Sequence, residues 1–168
     1  METSLKLGPY SYRFGIIAAG IGIAFSLMLY FMDMMYEQSP VIQAINVLIP
    51  TAVAVFAITT FKKDNNGLLA LKQSIKLGTG IFLITGIIYL LYFTLFINFI
   101  ESDFITKTAQ LQADMLRETQ PDLDQSFIQM QQDNTEKFFY ITFPFILIIN
   151  IIIGLVVGLI TGLVAKNN

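Results

Sequence analysis

The chain contains no cysteine and no histidine among its 168 residues. Disulfides, thiolate nucleophiles, imidazole bases and the usual zinc, copper and haem ligands are excluded together. Lack of cysteine suits any compartment, so it does not set the redox side. Tryptophan is missing as well, which leaves interfacial anchoring to Tyr and Phe. Charge is scarce, at 13% of residues, where a soluble domain carries about 25%. With 55% hydrophobic residues and a mean hydropathy of +0.66, that scarcity argues against a soluble domain. No basic patch serves nucleic acid. No Gly-rich phosphate loop or dense calcium-binding oxygen spacing occurs. Asp122 and Asp124, or Glu101 and Asp103, form acid pairs, but in a solvated acidic stretch. The expectation is a protein that is not an enzyme, with no catalytic residue, no cofactor and no metal.

What is present is four long apolar stretches. The first, 11–32, reads "SYRFGIIAAGIGIAFSLMLYFM" and has the length of about 20 residues that a bilayer helix needs. A cleaved signal peptide would end its shorter apolar core at small residues. Here the run continues to Leu29, Tyr30 and Phe31, which predicts a retained helix. The second, 40–61, opens on Ser39 and Pro40, a capping hydroxyl and a proline at the first helical position. Pro50 inside it frees the carbonyl of Asn46 and predicts a kink. The third is 77–100 and the fourth 138–165, with Pro144 marking a second kink. The remaining divisions are a tail at 1–10, a loop at 62–76 and a polar insert at 101–137.

Four spans place both termini on one side. That side collects Lys6, Arg13, Lys62, Lys63, Lys72, Lys76 and Lys166 against Glu2 and Asp64, a net +5. The other holds Lys107, Arg117 and Lys137 against ten acids, a net −7. Cations near span ends stay in the cytoplasm, so both termini are expected there and the insert outside. In the loop, Asp64 to Gly67 reads as a turn. Leu68, Leu71 and Ile75 then share a helical face. Either the third helix starts early with snorkelling lysines, or a short interfacial helix touches anionic lipid.

The insert has helical periodicity. Two helices are expected, at about 101–118 and 121–137, joined at "RETQPDLD". Thr119 can cap the second, and Pro121, Asp122 and Asp124 suit its first turn. Following on from the third and fourth spans, the pair forms an antiparallel hairpin. Phe104, Leu111, Met115, Leu123, Phe127 and Met130 are the candidates for its inward face. Ile105, Leu116 and Ile128 lie off that line and are the candidate partner surface. The plainer reading is that the apolar residues only stabilise the hairpin.

Gly154, Gly158 and Gly162 recur at four-residue steps in the last span. Such a stripe lets helix backbones approach closely where lipid supplies little hydrophobic drive. Gly15 with Ala19 in the first span, and Gly78 with Gly86 in the third, offer the same smooth faces. Packing within one four-helix bundle and homodimerisation are the two readings of these helix-packing residues. Asn46 and Asn150 are intramembrane amides, read as interhelical hydrogen-bond groups rather than a transport site. No charge lies mid-span, where proton-coupled carriers need one.

The order of parts resembles a known family. Two spans, the segment "GLLALKQSIKLGTGIFLITGIIYLLYF", a polar helical insert after "FINF" and a glycine-rich last span are similar to the bacterial membrane family catalogued as domain of unknown function 4199. The resemblance implies a multi-pass protein of the bacterial inner membrane and carries over no site residues. The reading from sequence is therefore an all-α integral membrane protein with four transmembrane helices and an extracytoplasmic helical hairpin between helices 3 and 4. Its expected role is an accessory or scaffold subunit that presents the acidic hairpin to a membrane or periplasmic protein. A small transporter or channel component is the alternative. Membrane lipid is an expected partner and nucleic acid is not.

Overall fold

The structure, a computed structural model, describes residues 5–37 and 39–165. Glu2 and Lys166, counted in the charge asymmetry, lie outside the described residues, as does part of the 1–10 tail. Among the described residues six α-helices follow in order: α1 Leu7–Phe31, α2 Pro40–Asp64, α3 Leu71–Phe99, α4 Phe104–Thr119, α5 Gln125–Phe138 and α6 Thr142–Ala165. A 3-10 turn, Phe139–Ile141, separates the last two. No strand occurs among the described residues. Helices α1, α2 and α3, and the run that ends in α6, are long and apolar enough to cross a membrane. The chain divides into two compact units, one of Met1–Tyr89 with Ile146–Asn168 and one of Leu90–Phe145.

In the first unit, the local chemistry explains where the helices begin and end. The Ser39 hydroxyl accepts from the Val41 N–H, and Pro40 occupies the first helical position, where its missing N–H has no intrahelical acceptor to lose. Helix α2 continues through Pro50. It ends at Asp64, capped by Asn65, after which Asn66 and Gly67 take φ values of 55° and 78°. Both residue types tolerate that left-handed region, and the turn at 64–67 follows from them. Helix α3 then starts at Leu71 rather than Leu77. Gln73 Oε1 accepts from the Ala70 N–H, the back-reaching half of a capping box, which favours this early start. The separate interfacial helix is therefore not formed. Leu71 and Ile75 turn towards α6, against Gly162 and Gly158.

The core of this unit is apolar and draws on all its helices. Phe14 from α1, Ala54 and Ala57 from α2, and Ile81 and Phe82 from α3 form one cluster, with Ile153 and Val157 of α6 packed on it. Ile58, Phe61, Leu69 and Leu77 form a second. At the ends, Tyr10 Oη donates to Asp64 Oδ2 at 2.6 Å, joining α1 to α2. Lys62 Nζ donates to the Ala165 carbonyl at 2.8 Å, a cation on the last carbonyls of α6.

In the second unit, α4 and α5 pack on each other. Gln112 accepts from Thr135 Oγ1, and Arg117 Nε donates to Gln125 Oε1. Helix α5 starts at Gln125, four residues after the expected start at Pro121. Thr119 does not cap it, because its hydroxyl donates back to the Met115 carbonyl within α4. Asp124 is the cap and accepts from the Ser126 N–H at 2.9 Å, while Pro121 stays in the connecting turn. Pro144 lies in the first turn of α6, where a proline costs no hydrogen bond. The break in the helical run is the 3-10 turn just before it. Phe93, Phe104, Phe139, Tyr140 and Phe143 meet edge-to-face around that turn.

Candidate functional site

Helix α3 carries small residues on two faces. Gly78 and Gly80 are two positions apart, so about 200° separates them around the helix. A methyl group on Gly78 would land on the Gly154 carbonyl oxygen and 2.9 Å from Gly158 Cα. One on Gly80 would stand 2.7 Å from Ser11 Oγ of α1. Helix α3 thus joins α6 on one side and α1 on the other.

The α3–α6 seam takes up the whole glycine stripe. A methyl on Gly154 would meet Phe82 Cβ at 2.7 Å, one on Gly158 the Ser74 carbonyl oxygen at 2.7 Å, and one on Gly162 Ser74 Cβ at 2.8 Å. Ser74 Oγ donates to the Gly158 carbonyl across this seam, at 2.7 Å and buried. Gly86 lies further along the same face, 3.0 Å from Leu147 Cδ2 by the same measure. On the α1 side, Gly15 approaches Ile84, Ala18 and Ala19 are buried, and Thr85 Oγ1 donates to the Gly15 carbonyl. These contacts lie within one chain. Ser11, Ser74, Gly80 and Thr85 belong to the seams and escaped the sequence reading. The signal was there in "LKQSIKLGTG", a four-step ladder of Ser74 and Gly78 that a search for glycine alone passes over.

The two amides do not act together. Asn46 lies on an exposed face of α2. Asn150 donates to the Ile146 carbonyl of its own helix, with its side chain beside Gly86.

The α4–α5 pair inverts the expected faces. Ile128, placed in the outward set, is 1% exposed. Ala109 and Ala113 are the buried residues of α4, and Ile105 and Leu116 are half-buried at the same helical spacing. The seam therefore runs Ile105, Ala109, Ala113, Leu116, and Ile128 packs from α5. Leu111, Met115, Phe127 and Met130, assigned inward, are exposed, and Phe104 and Leu123 are half-buried. The reason is size. Two short helices approach most closely on alanine, and a residue two positions on from each alanine is carried to the far side. Leu111 and Met115, at 39% and 43% exposure, form an apolar strip on the outside of α4.

Charges flank this strip. Lys107 pairs with Glu101 and Arg117 with Asp114, both at 2.6 Å. The Arg117–Asp114 pair, exposed on both sides, contributes about 0–1 kcal/mol. The Ser126 backbone N–H, and then its side chain, hold the Asp124 carboxyl below the usual carboxylate value.

Among known proteins, a family model described as "Protein of unknown function (DUF4199)" matches residues 13–167. No curated protein and no solved structure matches the chain.

Proposed function

Because the chain belongs to the DUF4199 family, whose description assigns no activity, we propose a function from geometry: a multi-pass protein of the bacterial inner membrane that presents α4 and α5 to a protein partner. Both termini lie in the cytoplasm. The two helices form an extracytoplasmic hairpin between the third and fourth spans. The role is that of an accessory or scaffold subunit rather than an enzyme.

One observation carries the reading. The hairpin closes on Ala109, Ala113 and Ile128, and Leu111 and Met115 are left exposed on its outer side. Apolar side chains held out on a thin polar pair are an interaction surface in waiting. The stretch 101–137 as a whole is acidic, with Glu101, Asp103, Asp114, Glu118, Asp122, Asp124, Asp133 and Glu136 against Lys107, Arg117 and Lys137. The partner therefore offers an apolar patch edged by Lys or Arg. The orientation rests on Lys6, Arg13, Lys62, Lys63, Lys72 and Lys76 at one end of the apolar helices. The packed core of Ala54, Ala57, Ile58, Phe61, Ile81 and Phe82 favours this reading over a water-lined transport route.

Two measurements test it separately. A periplasm-active reporter should work when fused at Gln120 and fail at Lys63, and the reverse would overturn the orientation. A photocrosslinker placed beside Leu111 should trap one partner. The double change Leu111→Ser, Met115→Ser should abolish that adduct without altering the melting temperature. An undiminished adduct would refute the docking role.

A further inference from the structure

A polar site lies in the first unit, where α1 begins and α2 ends. A cavity of about 230 Å³ is lined by Pro9, Tyr10, Arg13, Thr60 and Asp64. It holds one full positive and one full negative charge. These are not spent on each other: the ion pairs among the described residues are Lys107–Glu101 and Arg117–Asp114, both in the second unit. The Arg13 guanidinium is instead drawn over the Phe14 ring, 5.7 Å from its centroid. Asp64 is held by the Tyr10 hydroxyl at 2.6 Å. One such bond leaves most of a carboxylate's acceptor capacity free, and Arg13 keeps its fork of donors.

Position narrows the ligand. Tyr10 and Arg13 occupy the first two turns of α1, and Thr60 and Asp64 the last two of α2. Both helices are long and apolar enough to cross a membrane, so the cavity sits at the level where headgroups begin. From these observations we infer that the cavity binds the headgroup of a zwitterionic phospholipid bearing a primary ammonium, with the phosphodiester on Arg13 and the ammonium on Asp64. Arg13 presents parallel donors that suit a phosphate. A primary ammonium donates hydrogen bonds to a carboxylate, whereas a quaternary ammonium cannot. A purely anionic headgroup would satisfy Arg13 and face Asp64 with like charge. The site needs no particular orientation of the chain, so it stands apart from the docking role.

The test uses the full-length protein in detergent and three probes with identical acyl chains: phosphatidylethanolamine, phosphatidylglycerol and phosphatidylcholine. Native mass spectrometry reads the bound fraction. Phosphatidylethanolamine should bind about tenfold more tightly than either of the others, the scale of one charge-assisted hydrogen bond. Asp64→Asn keeps an acceptor for Tyr10 and should erase the preference over phosphatidylcholine. Asp64→Glu keeps the charge and should retain the preference, which separates loss of charge from a folding defect. Arg13→Gln should weaken all three lipids alike, because each carries the phosphodiester. Equal binding of all three lipids by the unaltered protein would overturn the inference, as would a preference that survives Asp64→Asn. Soluble glycerophosphoethanolamine, binding as tightly as the lipid, would assign the site to a free solute and overturn its lipid character.

Discussion

Gly158→Ala adds one methyl group in the middle of the glycine stripe of the α3–α6 seam. The new carbon would lie 2.7 Å from the Ser74 carbonyl oxygen and 2.9 Å from Ile75 Cα. Both are backbone atoms, so no side-chain rotation relieves the clash, and the helices must separate. In an isolated helix the same change is favourable by about 1 kcal/mol. Overpacking costs about 1–3 kcal/mol, and separation lengthens the Ser74–Gly158 hydrogen bond, a contact worth about 0.5–1.5 kcal/mol. The balance is a net destabilisation of about 1–3 kcal/mol. Gly20→Ala is the matched control, because a methyl there meets nothing within 4 Å. It should keep the helix-propensity gain and leave the melting temperature unchanged or raised. Melting curves of the two variants in one detergent check the comparison. If Gly158→Ala melts at or above Gly20→Ala, the seam is not closed and the reasoning fails.

Ser74→Ala removes the buried hydroxyl that donates to Gly158 and should cost about 0.5–1.5 kcal/mol, read as a lower melting temperature with unchanged helix content. Ala113→Leu forces a large side chain into the α4–α5 contact and should loosen that pair by about 1–3 kcal/mol, seen as faster amide exchange at Ile128, whereas Leu111→Ser should leave that exchange unchanged. Asp124 has a carboxyl held below its usual value by Ser126. Its capping contribution is complete above the unfolded carboxylate pKa of about 3.9. It is lost as pH falls through the lower folded value. Exchange at the Ser126 amide should therefore speed up only in that acid window, and Asp124→Asn, which still accepts a hydrogen bond, should remove the pH dependence.

The sequence by itself determined the helical, membrane-grade character of the chain, because length, apolarity and sparse charge are local properties. The four apolar spans are legible in this way, and so are the Ser39–Pro40 start and the turn at Asn65–Gly67. Each depends on the residues within it or beside it. The glycine ladder of Gly154, Gly158 and Gly162 was equally visible, since a four-residue repeat must share one helix face.

Only the tertiary structure decided what those faces meet. That the ladder closes on Ser74 and Gly78 depends on which helix lies opposite, and several smooth faces were on offer. The start of α3 at Leu71 turned on the reach of Gln73 to Ala70 and on Leu69 entering the core, neither of which hydropathy records. The α4–α5 pair inverted because burial is settled by backbone separation. Two alanines a turn apart admit the partner helix closely, and that geometry draws in Ile128 and carries Leu111 and Met115 outward. Arg13 and Asp64 stand 51 positions apart in the chain, and nothing local links them. The packing of α1 on α2 alone brings those two charges to one cavity.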